Sequence, residues 1–221
     1  MKAPLLLTLL VLASCLLTAQ EEKKEKKQPK PGIGLGLKAG VNFANITNAS
    51  QISASNTSGF HAGAFFAPGS GMGKKILGYR TEIIFSRQGY DFKSGTTTGS
   101  VKLDYILMPQ LMTINITRFF EIHFGMQMAF LLNAKADSSK PAASNNPYGA
   151  IMDYYNRFDY GLAGGVQIMP VAGLFIGARY NISLSNLYNN NNSSQVPVFI
   201  PNSSNINFKN NVIQLYGGWR F

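Results

Sequence analysis

Residues 33–221 alternate apolar and polar side chains with a period of two, in eight stretches separated by segments rich in Gly, Pro, Asn and Ser. That period puts successive side chains on opposite faces of a strand. In 33–43, Ile33, Leu35, Leu37, Ala39, Val41 and Phe43 share one face, with Lys38, Asn42 and three glycines on the other. The same reading sets Phe60, Ala62, Ala64 and Phe66 against His61 and Gly63, and Leu77, Tyr79, Ile83 and Phe85 against Arg80, Glu82, Ser86 and Gln88. In 101–113 it sets Val101, Leu103, Tyr105, Leu107 and Leu111, with Pro109, against Lys102, Asp104 and Gln110. Pro109 removes one ladder donor, so an irregularity or bulge is expected there. The fifth stretch, 120–135, is the clearest: Ile122, Phe124, Met126, Met128, Phe130 and Leu132 oppose Glu121, His123, Gly125, Gln127, Ala129 and Asn133. It lacks the three-and-four spacing of a helix. Stretches 157–168 and 174–185 repeat the pattern, placing Asp159, Gln167, Arg179 and Ser183 on the polar face.

The last stretch, 212–221, sets Ile213, Leu215, Trp219 and Phe221 against Gln214, Tyr216, Gly218 and Arg220. A soluble sheet ending on such a strand leaves an unprotected edge. A barrel pairs it with the first strand and sets its aromatics at a bilayer interface. Trp219 and Phe221 are therefore expected to form a C-terminal assembly signal for the barrel-assembly machinery. Apolar faces then meet outer-membrane lipid, and polar faces line a narrow lumen. Connections after the first, fifth and seventh stretches are long, that after the third (93–100) is moderate, and the others are short. The expectation is an all-β, eight-stranded antiparallel transmembrane barrel, an up-and-down meander. Its short turns and both termini are periplasmic and its long loops extracellular.

Composition agrees. Only 14% of residues are charged, 12% are aromatic and 22 are Gly, which suits a wall facing lipid. The formal charge of +10 invites a nucleic-acid reading. The basic residues are scattered singly along alternating strands, so no nucleic-acid partner is expected, and contact with anionic headgroups fits better.

Lys2 and the apolar run 4–17 form a secretory leader over 1–19, with cleavage between Ala19 and Gln20. A lipoprotein signal at Cys15 is the alternative, though Leu16 and Leu17 continue the apolar run past it. Residues 20–32 are a charged periplasmic arm with Pro29 and Pro31, and 33–221 are the barrel domain.

The inward charges Lys38, Arg80, Glu82, Lys102, Asp104, Glu121, Asp159, Arg179 and Arg220, with His123, are expected to form a packed polar network, because an unpaired buried charge is costly. His61 is expected to be hydrogen-bonded in the lumen. No ligand spacing marks a metal, and no cofactor is expected. Ser86 and Ser183 are the inward candidates for a nucleophile, without a motif around either.

The segments GLKAGVNFANI (36–46), LDYILMPQLM (103–112), FDYGLAGGVQI (158–168), LFIGARYNISLSNL (174–187) and GGWRF (217–221) resemble the PorT-like, porin-family outer-membrane β-barrel proteins. The resemblance covers 32–221. It implies an eight-stranded barrel in a Gram-negative outer membrane and, for some members, an accessory role in protein secretion. The expected role is non-enzymatic: a structural or interaction protein acting through its extracellular loops on protein partners. A narrow solute pore, a secretion accessory and an outer-leaflet lipid enzyme are the alternatives.

Overall fold

The computed structural model describes residues 34–47, 54–68, 76–94, 97–138, 151–189 and 208–221. The expected leader, its Ala19–Gln20 cleavage point, Cys15 and the charged arm lie outside the described residues. The strands are β1 (Leu35–Thr47), β2 (Thr57–Phe66), β3 (Leu77–Ser94), β4 (Thr97–Asn115), β5 (Phe120–Ser138), β6 (Phe158–Ile168), β7 (Leu174–Ser183) and β8 (Lys209–Arg220), with one 3₁₀ turn at Met152–Tyr154. Each pairs antiparallel with its sequence neighbours, and β8 closes on β1. Following ladder partners from Gly40 through β2, β3 and β4 leads to Leu131 on β5. Going the other way, through β8, β7 and β6, leads to Glu121. Those two residues stand ten apart on one strand, the stagger that closure of a tilted barrel requires.

The outer wall between the two ends is apolar: Leu37, Ile83, Met126, Leu162, Ile176 and Leu215 are among the large hydrophobic residues left exposed. Phe43, Phe60, Phe130, Phe158 and Tyr160 crown this band toward the long connections, and Trp219, Phe221, Phe66 and Tyr79 edge it toward the short turns. This is the arrangement of a lipid-facing band between aromatic girdles. Among the described residues no helix is long and apolar enough to cross a membrane, which bears only on helical spans.

Three strands outrun the rest. β3, β4 and β5 have 18, 19 and 19 residues, against 10 to 13 for the others. The moderate loop expected over 93–100 is instead the tip of the β3–β4 hairpin, with Ser94 paired to Thr97. Its polar residues read as a loop, yet a hairpin standing in water takes polar, β-branched threonines readily. Beyond the lipid band the polarity of the wall reverses. Lys93, Lys102, Lys135 and Asp137 are exposed on the outside. Tyr90, Phe92, Val101, Leu103, Tyr105, Ala134 and Ala136 pack inside.

That reversal corrects the face assignment of β4. Val101, Leu103, Tyr105, Leu107 and Leu111 face inward, opposite Tyr90, Gln88, Ser86, Ile84 and Arg80 of β3. Lys102 and Asp104 are therefore not lumen residues: Lys102 is exposed, and Asp104 pairs outside with Arg87 at 2.7 Å. An alternating stretch shows that two faces differ, and the surrounding solvent decides which is turned inward. Pro109 brings the expected irregularity but no bulge. The ladder to β3 lacks assigned partners between Thr81↔Gln110 and Ile84↔Leu107 without a register change. The β4–β5 register shifts instead at Asp104/Tyr105. The bulge lies where the wall passes from lipid to water, and it restores Ala134 and Ala136 to the inner face after Leu131.

Candidate functional site

The interior has two storeys. At the short-turn end the rings of Phe65 and Phe175 meet edge to face at 5.5 Å. They lie against Gly36 and Gly218, where a Cβ has no room. Above them Lys38 of β1, Arg80 of β3 and Arg179 of β7 converge on two carboxylates, Glu82 of β3 and Glu121 of β5. Glu82 accepts from Arg179 through both oxygens at 2.7 Å and from Lys38 at 3.1 Å. Arg80 lies 3.8 Å from Glu82 and donates to Glu121 at 2.6 Å and to Gln167 at 3.1 Å. The side chains of Lys38, Arg80, Glu82, Glu121 and Arg179 are at most 3% exposed. The bidentate Arg179–Glu82 fork is the strongest geometry available to such a pair. Lys38 also sits 4.0 Å over the Tyr216 ring, and Arg80 5.0 Å over Phe65.

Both histidines join the buried bonding pattern, His123 without carrying charge. Arg179 Nε donates to His123 Nε2 at 3.3 Å, which makes that nitrogen an acceptor and leaves the ring proton on Nδ1. The 3.7 Å approach of His123 Nδ1 to Glu121 is then a neutral contact and no ion pair. His61 Nδ1 lies 2.7 Å from Asn42 Oδ1. The Asn42 amide nitrogen donates to the carbonyls of Phe60 and Arg87 and to Ser86 Oγ, so Oδ1 is the acceptor and His61 Nδ1 carries the proton.

Asp159 stands apart from this network. It is 8% exposed and accepts from the hydroxyls of Ser183, at 2.6 Å, and Ser185. Arg220 lies at the short-turn rim and donates to the Ala67 carbonyl at 2.9 Å. The two serines considered as nucleophiles are engaged otherwise: Ser86 accepts from Asn42 and Gln88, and Ser183 serves Asp159. No histidine among the described residues bonds either hydroxyl, and no group of described residues could hold a metal ion.

The upper storey is apolar. Ile84, Tyr90, Leu103, Tyr105, Leu107 and Leu131 of the long strands pack with Ile151, Tyr155, Leu187, Tyr188 and Phe208 from the β5–β6 and β7–β8 connections. Backbone bonds tie the connections in: Ile151 N to Ala134 O at 3.2 Å, Asn156 N to Leu187 O at 2.9 Å and Leu187 N to Phe208 O at 2.9 Å. The Tyr90 and Tyr155 hydroxyls bond at 2.8 Å. Burial, with Tyr90 beside it, holds the Tyr155 phenol well above the usual tyrosine range, and hence neutral. Their signal in the sequence was the apolar residues 151–155 and 187–188 embedded in Asn- and Ser-rich segments.

Among solved structures, Neisserial surface protein A is similar over 87% of this chain and all of its own, at 12% identity and a TM-score of 0.53. Ail, the attachment invasion locus protein of Yersinia pestis, is similar over 85% of this chain and 99% of its own, at 16% identity and a TM-score of 0.45. At 12% identity the likeness to Neisserial surface protein A speaks to the fold alone. No curated protein matches the sequence. The family described as outer membrane protein beta-barrel domain matches residues 18–189, and with its closed eight-stranded wall this chain belongs to that family.

Proposed function

We propose that this domain is a non-conducting outer-membrane anchor that presents the raised β3–β4–β5 end and its packed connections to a protein partner outside the cell. One observation carries the reading: Glu82 is gripped by Lys38 and Arg179 across the width of the barrel, with no exposed atom to speak of in any of the three. An eight-stranded lumen is only wide enough for its own side chains, and this one is closed twice over. Purified protein in a planar bilayer should give a flat current trace; stable unitary openings would overturn the reading.

In this proposal both ends of the barrel segment lie on the periplasmic side with the short turns, and the leader 1–19 is removed after Ala19 on export. An even number of strands supports the first point, and the n-region and apolar run support the second. An epitope inserted within 139–150 should bind antibody on intact cells; staining only after permeabilisation would reverse the orientation. The PorT-like resemblance supports a secretion assembly as the partner. The stretches that carry it form much of β1, β4, β6, β7 and β8. Cross-linking from whole outer membranes should then capture secretion components on the raised end, and a capture profile identical to that of an unrelated barrel would remove this finer reading.

A further inference from the structure

We infer that the outer wall of β3, β4 and β5 is a docking face for a second copy of this chain, paired through Gln110 inside the lipid band. The wall there carries an amide well within its apolar height. Gln110 alternates with the inward Leu111 and faces outward, with Thr81 opposite it on β3 and Met126 opposite it on β5. Met108 and Met112 flank it along β4, and Met128 is paired to Met108. Four of the chain's eight methionines thus surround one amide. Met112, Met126 and Met128 are exposed, as are Ile83 and Tyr79 beside them. Methionine is unbranched and adaptable, which suits a surface that must fit another surface.

The depth of the amide decides what can meet it. The outward residues of β3 cross the band from Leu77 to Arg87, and Thr81 lies four positions in from Leu77. At about 3.3 Å per residue and a tilt of about 40°, that sets Gln110 about 10 Å inside the hydrocarbon, beyond the reach of headgroups. Tyr79 gives its hydroxyl to Gln110 Oε1, and Gln110 Nε2 donates to Thr81 Oγ1 at 2.8 Å. One amide hydrogen of Gln110 and the hydroxyl hydrogen of Thr81 are left over, and no described residue accepts either. The β3–β4 ladder also lacks partners beside this rung, between Thr81↔Gln110 and Ile84↔Leu107. Hydrocarbon satisfies none of these groups, so the wall asks for an acceptor on another membrane-spanning surface. A second copy supplies one in register. Both copies enter the bilayer the same way, so a two-fold axis between them runs along its normal and sets each residue on the axis beside its own copy at equal depth. An amide is both donor and acceptor. Across that axis each Gln110 gives its spare hydrogen to the other's Oε1, whose second lone pair Tyr79 leaves open. The methionines on either side fill the contact.

The contact is independent of whether the lumen conducts and of what binds the raised end. Cys15 is the chain's only cysteine, so in a Cys15→Ser background single cysteines report the contact. Met108→Cys or Met112→Cys, in outer membranes treated with a copper(II) oxidant, should yield a disulfide-linked dimer, two thiols giving up two electrons and two protons to form one S–S bond. Leu215→Cys, on β8 at the opposite wall, should stay monomeric. Gln110→Leu added to Met112→Cys should lower the dimer yield roughly three- to tenfold, for the loss of two amide bonds within the membrane. No dimer from β4, an equal yield at Leu215, a link to a different protein, or a yield indifferent to Gln110→Leu would each overturn the proposal. The unaltered protein provides a second measurement that needs no cysteine. Sedimentation in density-matched micelles should show a dimer that dissociates as detergent is raised, and monomer at every ratio would equally overturn the contact.

Discussion

The two storeys of this barrel obey opposite rules. Toward the short turns the outside is leucine, isoleucine and phenylalanine and the inside is a set of ion pairs. In the raised β3–β4–β5 end the outside carries Lys93, Lys102 and Lys135 and the inside is Leu103, Tyr105 and Phe92. One chain writes both with the same period of two. The solvent outside makes the difference. Lipid accepts apolar side chains on the outer wall, which leaves the interior to charges that must find one another. Water outside restores the ordinary rule that apolar groups go in. Arg87, over the Phe60 ring at 5.3 Å and paired with Asp104, marks the level where one rule gives way to the other.

The largest expected effect separates the storeys by how their cores fail. Glu82→Ala leaves Lys38 and Arg179 buried beside each other without their shared carboxylate, and should cost about 3–5 kcal/mol in denaturant titrations of the folded barrel. Replacing Lys38, Glu82 and Arg179 together by methionine should cost far less, since it removes the desolvated charges along with their partner. A triple variant as unstable as Glu82→Ala would show that the network is needed for more than mutual neutralisation.

The upper storey should respond as a soluble core does. Leu103→Ala, fully buried among Tyr90 and Ala134 neighbours, should cost about 2–5 kcal/mol. The same change at Leu162, 47% exposed on the lipid wall, should cost clearly less, because lipid chains refill the space. Equal losses at the two positions would mean that the raised end is no better packed than the lipid face. Smaller again is Tyr155→Phe, which removes one hydroxyl from the Tyr90–Tyr155 bond and should cost about 1 kcal/mol. Because burial keeps the Tyr155 phenol neutral above its usual range, its contribution should persist into mildly alkaline buffer. The difference between wild type and Tyr155→Phe should then decline from about pH 10 upward, where the unfolded chain's phenol ionises and the folded one does not; a difference unchanged through that range would show that this phenol reaches solvent.

The strand count, the closed meander and the inner faces of seven strands were legible in the sequence, because within the lipid band the two faces differ so sharply; the exception on those seven is Asn133, which the β5 register shift sets opposite the outward Asp104 while Ala134 and Ala136 turn inward. Ile213, Leu215 and Trp219 can point only one way when Gln214 and Tyr216 are their alternates. The charged members of the lower network were legible for the same reason, though their pairing was not: nothing in spacing says that Glu82 takes both Lys38 and Arg179, which lie 44 and 97 positions away. β4 was misread because both of its faces carry apolar residues, Ile106, Met108 and Met112 on one and Leu103, Leu107 and Leu111 on the other. Lys102 and Asp104 then looked like lumen charges. The rise of β3–β5 beyond the bilayer was hidden for a related reason, since a water-bathed hairpin carries no lipid signature. The upper core depends on residues 151–155, 187–188 and 208, scattered through two long connections, and only the folded chain brings them together.

Lys102 tests the reversal of the wall at its weakest point. It stands directly opposite Lys135 on the outer face, and like charges in that relation repel. Neither has a carboxylate within 4 Å among the described residues, and both are exposed. Lys102→Gln should therefore raise stability slightly, by no more than about 0.5 kcal/mol, and the gain should shrink as salt is added. Were Lys102 inside the lumen, the same change would strip a buried partner from the network and the sign would be negative and insensitive to salt. Cysteine placed at Lys102 should react rapidly with a charged maleimide in the folded barrel, whereas cysteine at the adjacent Leu103 should react only after unfolding. The two positions differ by one residue and by the whole thickness of the wall, so equal reactivity would return β4 to the orientation its sequence first suggested.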